Sequence, residues 1–175
     1  GDVERISVQE EIDRVVPVIE AMKSRMDITV SVDTYKSKVA EAAIEVGADM
    51  VNDIWGFRKD PDMVKIVAET DVEVVVMHNT DFPSYNDVVK DCIEHLNGIV
   101  DKAVESGVKY ERIIIDPGIG FAKTPSQNLE ILRRLTEFKV IGRPILVGTS
   151  RKSTIGAVLD VPVNQRIEGT SATVA

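Results

Sequence analysis

Arg112-Ile-Ile-Ile-Asp-Pro-Gly-Ile-Gly-Phe121 is the stretch from which the fold is read. Arg112 to Ile115 is a short β-branched run, as a strand requires, and it stops on a carboxylate, a proline and two glycines. Before it lies a helical segment from about Tyr85 to Ser106, with Gly107 as its stop. After it, Thr124-Pro-Ser-Gln127 announces a helix that carries Leu129, Leu132 and Leu135. A strand set between two helices is the unit of a parallel sheet, because parallel neighbours need a long crossover between them.

The alternation continues outward in both directions. Residues 8–22 repeat apolar positions at helical spacing, with Ser7 and Glu10 as a capping box and Pro17 as an expected kink. Ile28 to Val32 reads as a strand, and residues 35–46 as an alanine-rich helix closed by Gly47. Asp49 to Asn52 is the next strand. Asp60 then caps a helix with Pro61 at its first position, running to about Glu69, and Val72 to Met77 is a further strand. Downstream, Pro144 to Val147 reads as the fifth strand and Val163 to Ala175 as a helix. The expectation is a parallel α/β architecture in one domain over residues 1–175: a helix, then five strand–helix pairs.

Composition limits the functions such a fold could serve. The chain has 175 residues, 21 basic and 29 acidic, with a net charge of −8. A hydrophobic share of 43% and a charged share of 29% exclude disorder and collagen-like structure. No apolar run approaches the roughly 20 residues of a membrane helix, so no membrane partner is expected. Gly1 to Arg5 lacks the basic-then-apolar pattern of a leader, which sets a cytoplasmic expectation. Cys92 is the single cysteine, so an intramolecular disulfide and a cysteine-based zinc cluster are excluded. A pI near 4.8 argues against nucleic acid as a partner, while a small anionic substrate stays compatible.

The functional signal lies in the residues just after each strand. Asp33, Asn52, Met77-His78-Asn79, Asp116 and Gly148-Thr-Ser-Arg-Lys152 stand at five successive strand ends. In a parallel α/β protein those ends share one face, where ligands bind. Polar loops alone explain any one of these positions more readily than the whole series. Asp116-Pro-Gly-Ile-Gly lacks the third glycine of a dinucleotide fingerprint, and Gly148 to Ser153 lacks the spacing of a nucleotide-triphosphate loop. His95 reads as a helix-face residue, Cys92 as a small buried hydrophobe, and His78 as lacking a second histidine near enough for a metal pair. Trp55 and Phe57 fit either a pocket mouth or loop packing.

Taken together, Ser31 to Lys36, Ala48 to Ile54, Val76-Met-His78, Ile115 to Phe121, Val147 to Ser153 and Arg166 to Thr170 resemble the dihydropteroate synthase family. The resemblance implies a (β/α)8 TIM barrel that joins a pterin pyrophosphate to 4-aminobenzoate and releases pyrophosphate, a transferase of folate biosynthesis and a sulfonamide target. It implies that Asp33, Asn52 and Asp116 bond the pterin edge, between apolar walls from Ile54 and Met77 and above a floor at Gly148. Lys152 would sit beside the ring and the arriving amine, with Phe121 and Ser153 towards the aminobenzoate. Asp33, Asp116 and Lys152 would then be the catalytic groups. It further implies Mg2+, whose asparagine ligand is expected outside this chain, and a homodimer.

About five of the barrel's eight strand–helix units are expected here, without the family's first two strands and its last. The segment Asn79 to Ser84 also lacks a family Gly-Thr-Pro stretch. Three alternatives stay open: a methyltetrahydrofolate–corrinoid methyltransferase, an aldolase-type barrel with Lys152 as a Schiff-base nucleophile, and a non-catalytic pterin-binding module. The Gly148 to Ser153 loop favours the synthase over the methyltransferase.

Overall fold

Runs of valine and isoleucine set the centre of the structure, a computed structural model that describes residues 6–175. Gly1 to Arg5, on which the leader reading rests, lie outside the described residues. Strands β1 (Ser31–Asp33), β2 (Met50–Asp53), β3 (Glu73–Met77) and β4 (Ile113–Asp116) pair in parallel, in the order β1-β2-β3-β4. Val51, Val74, Val75, Val76, Ile113 and Ile115 are fully buried, as parallel strands covered on both faces must be. An order that never doubles back is that of a (β/α)8 barrel; a doubly wound sheet reverses at a switch point. The chain carries part of such a barrel.

The helices are α1 (Val8–Lys23), α2 (Ser37–Glu45), α3 (Met63–Glu69), α4 (Val88–Glu105), α5 (Pro125–Arg133), α6 (Ser153–Leu159) and α7 (Ile167–Val174). α1 runs unbroken through Pro17, against expectation. Pro17 is exposed, while Val15, Ile19 and Met22 pack the opposite stripe into the core and hold the helix across the missing hydrogen bond. Only half of the expected capping box forms. Ser7 Oγ accepts from the Glu10 N–H at 3.1 Å, and the Glu10 carboxylate pairs with Arg14 instead.

Asp60 divides its carboxylate, one oxygen accepting from the Asp62 N–H at 3.2 Å in the turn that leads into the next helix. α3 starts at Met63, and the Asp60 carboxylate accepts from the Ser37 N–H at 2.7 Å, capping α2 across space where Lys36 supplies no cap of its own. β1 is shorter than read, because the Asp49 carboxylate takes the Val30 N–H at 2.8 Å. Pro144 to Val147 is not a strand. It makes a single bridge, Ile145 to Ile115, and Pro144 has an acceptor but no N–H to extend a ladder. The Val163–Ala175 helix divides into a 3₁₀ turn over Val163–Gln165 and α7. Among the described residues no helix is long and apolar enough to cross a membrane.

Candidate functional site

The sheet register brings the strand-end side chains together. Asp33 pairs with Asn52 across β1 and β2, and Met77 pairs with Asp116 across β3 and β4, all at the same end of the sheet. The charge of Lys152 reaches both Asp33 and Asp116 and draws both carboxyls towards ionisation. Its ammonium also lies 4.3 Å from the centre of the Phe121 ring. Asp33, Asn52, Met77, Asp116, Phe121 and Lys152 thus share one corner of the fold. Ile54 stands half-buried two residues beyond Asn52, and Ser153 opens α6 with an exposed side chain next to Lys152. At Gly148 an added Cβ would meet nothing within 4 Å, so that floor faces open space.

Two carboxyls and an amide set the electrostatics. Burial raises the pKa of Asp116, and the Gly118 N–H at 2.7 Å, Lys152 and Lys123 pull it back only in part. Asp33 keeps an exposed side chain, yet the protein around its carboxyl removes enough water to raise it against the opposing effects of Asn52 and Lys152. Asn52 Oδ1 is buried and, among the described residues, has no hydrogen-bond partner. An orphaned acceptor of this kind costs roughly 1–3 kcal/mol, which a ligand N–H would recover.

Asp53, one residue further on, has a different task. Its buried carboxylate accepts from the Trp55 N–H at 2.8 Å and the Phe57 N–H at 2.7 Å, and so builds the turn after β2. Phe57 belongs to the core, whereas Trp55 stays half-buried under the cations of Lys59 (4.3 Å) and Arg58 (5.4 Å). Asp53→Ala is expected to lower stability by about 2 kcal/mol or more, since two donors lose their acceptor. Urea unfolding measures that loss, and ligand affinity of the folded protein should hardly change.

The loop after β4 needs its glycines. Gly118 has φ +73°, and a Cβ there would stand 2.1 Å from the His78 carbonyl oxygen. At Gly120, φ +83°, the Lys152 stem passes where a side chain would project. The Gly120 N–H donates to Asn128 Oδ1 at 2.9 Å, and Asn128 Nδ2 donates to Thr154 Oγ1 at 2.9 Å, tying loop, α5 and α6 together. The Lys152 loop is fixed from the other side. Arg166 donates to the carbonyl oxygens of Arg151 (3.0 Å) and Lys152 (3.4 Å), and Thr170 Oγ1 accepts from the Arg151 N–H. Arg166 enters the sequence reading only as part of the Arg166 to Thr170 stretch, and Asn128 not at all, because each acts on residues far from it in the chain.

His78 does have a second histidine beside it, contrary to the reading from sequence. His95, on α4, meets its ring edge-on with centroids 4.8 Å apart. Desolvation, reinforced by the charges of Lys123 and His95, pushes the His78 pKa down to about 3, so it is neutral. Cys92 is fully buried, and burial pushes its thiol up to about 12, which leaves it unreactive. Among the described residues no group of three His, Cys, Asp or Glu side chains could hold a metal ion.

Known proteins are similar to this chain in sequence and in fold. A family model described as pterin binding enzyme matches residues 1–175. A dihydropteroate synthase of Clostridium beijerinckii is 54% identical over 170 residues, covering 97% of this chain and 63% of that protein. A crystal structure of dihydropteroate synthase from Clostridium difficile, in the presence of pteroic acid, superposes with a TM-score of 0.95 at 47% identity, over 98% of this chain and 66% of that one. The Xanthomonas albilineans dihydropteroate synthase with 4-aminobenzoic acid gives a TM-score of 0.94 at 37% identity, over 98% and 63% of the two chains. The chain therefore spans a little under two thirds of these relatives' length.

Proposed function

The chain belongs to the pterin-binding enzyme family, and from that premise we propose that it is the pterin-binding part of a dihydropteroate synthase. Its 175 residues then form the central strand–helix units of a single barrel domain. One observation carries the reading: two carboxyls with raised pKa, an amide oxygen without a donor and a lysine share one strand-end face. A pterin edge presents ring N–H and amino donors, the complement of Asp33, Asn52 Oδ1 and Asp116. Met77 and Ile54 form the apolar walls of its slot, and Gly148 leaves room beneath the ring. Phe121 and Ser153 face the aminobenzoate, and Lys152 stands between the two substrates.

The chemistry derives from that placement. The C–O bond between the pterin methylene and pyrophosphate breaks, and pyrophosphate leaves with the electron pair. The amine nitrogen of 4-aminobenzoate forms the new C–N bond and gives up a proton. Ionised Asp33 and Asp116 stabilise the positive charge that develops on the pterin as the C–O bond opens. Lys152 contributes charge and hydrogen bonds without forming a covalent intermediate. Mg2+, which the resemblance implies for the pyrophosphate, finds no matching donor set among the described residues, and none of these steps runs through it. Val158, Leu159, Val163 and Ile167 are exposed apolar side chains of the kind a homodimer would cover. A cytoplasmic setting suits an enzyme whose substrate is a charged pyrophosphate.

Incubation with pterin pyrophosphate and 4-aminobenzoate is expected to release pyrophosphate in step with condensed product. Pterin binding with no release by the full-length protein would make it a binding module instead.

A further inference from the structure

A cation lies under the turn that carries Phe121. The Lys123 ammonium donates to the carbonyl oxygens of Gly118 (3.1 Å) and Phe121 (3.0 Å) and stands 2.9 Å from His78 Nδ1. His78 is neutral, so its ring nitrogen can accept there. One side chain therefore ties both ends of the Gly118–Phe121 turn to the end of β3. Asp116 and Asn128 take the Gly118 and Gly120 N–H groups. Of these contacts, however, only Lys123 joins the carbonyl oxygens of both Gly118 and Phe121 to the end of β3, in a turn where Gly118, Gly120 and Ala122 all sit at positive φ. On its far side the Phe121 ring meets Lys152. Nothing in the chemistry above uses Lys123.

We propose that Lys123 is a positioning residue, which clamps the Gly118–Phe121 turn against β3 and so fixes Phe121 beside Lys152, where the aminobenzoate ring packs. The ligand part of this proposal rests on the synthase reading; the clamp itself does not. A lysine suits the task because an ammonium offers three donors where the carbonyl oxygens of Gly118 and Phe121 and the ring nitrogen and, at 3.5 Å, the carbonyl oxygen of His78 converge. An apolar chain of the same length would fill the space and take the ammonium donor from the Phe121 carbonyl oxygen and the His78 ring nitrogen, leaving the Gly118 carbonyl oxygen with the Phe121 N–H alone. The groups that face Lys123 are His78 just after β3, Cys92 and His95 from α4 and Asp116 from β4. Desolvation lowers its pKa to about 8, against the pull of Cys92 and Asp116.

Amide hydrogen exchange and ligand titration on the wild type, Lys123→Met and Lys123→Arg test the proposal. Lys123→Met should speed exchange in residues 118–122 by about tenfold or more, the scale of one lost charge-assisted bond, and leave Val74 to Val76 unchanged. It should weaken 4-aminobenzoate by about tenfold in the presence of pterin and pterin itself by less than about threefold, with Lys123→Arg recovering most of the loss. Unchanged exchange in the turn, or an equal rise in turn and β3, would overturn the clamp. If the wild type binds no 4-aminobenzoate, the synthase reading fails, while exchange in the turn still decides the clamp. Should Lys123→Met not fold, the unaltered protein serves. Exchange in the turn relative to β3 should rise as pH passes about 8, where Lys123 loses its proton, and a flat ratio would contradict the clamp.

Discussion

Asp116→Ala is expected to lower pterin affinity by at least about a hundredfold. Two charge-assisted bonds at roughly 1.5 kcal/mol each give about 3 kcal/mol, and every 1.4 kcal/mol is tenfold. The side chain is buried at the end of β4. The neighbouring carboxylate Asp53 separates site from scaffold, because its removal should cost stability and leave affinity nearly intact. A pH series gives an independent sign. Burial holds the Asp116 pKa above the ordinary carboxylate range, and the bound pterin needs the ionised form. Affinity should therefore fall with decreasing pH, starting above the pH at which an exposed aspartate would titrate. Equal affinity losses at Asp116 and Asp53 in a calorimetric titration would contradict the assignment.

Lys152→Ala should reduce turnover of the full-length enzyme by about a hundredfold or more, the scale of one preorganised donor aimed at a transition state. Lys152→Gln retains a neutral donor and should lose only about tenfold, since charge-assisted bonds are about twice as strong as neutral ones. Both variants should keep the fold, because the side chain lies over a loop and against Phe121 rather than in the core. An aldolase would lose essentially all activity in both, as no amine remains to form a Schiff base. Borohydride with a carbonyl substrate settles the choice: reduction that traps an adduct on Lys152, with no pyrophosphate released, contradicts the synthase.

The strand-end residues were legible because two local signals coincide there. A β-branched run marks a strand, and the residue that ends it lies at the shared end of a parallel sheet. Asp33, Asn52 and Asp116 are all found this way, whereas Lys152 lies five residues beyond a segment that makes only one bridge. Residues whose roles depend on distant partners leave no such mark. Asp60 reads as a cap for its own helix because local pattern cannot show Ser37 beside it. His78 and His95 lie on different elements, and Lys123 resembles any loop lysine until the turn folds over it. Pro144 to Val147 has a strand's composition but lacks the ladder that composition cannot supply. The fold's alternation was readable; its edges, caps and buried polar contacts belong to tertiary structure.

A calorimetric titration of the protein with a pterin, repeated on Asp116→Ala and Asn52→Ala, tests the central claim most directly. One pterin should bind per chain, and both substitutions should weaken it, Asp116→Ala by at least about a hundredfold and Asn52→Ala by roughly the tenfold of a single lost hydrogen bond. Absence of pterin binding, or binding that neither substitution changes, would show that the strand-end face of this fold is not a pterin site.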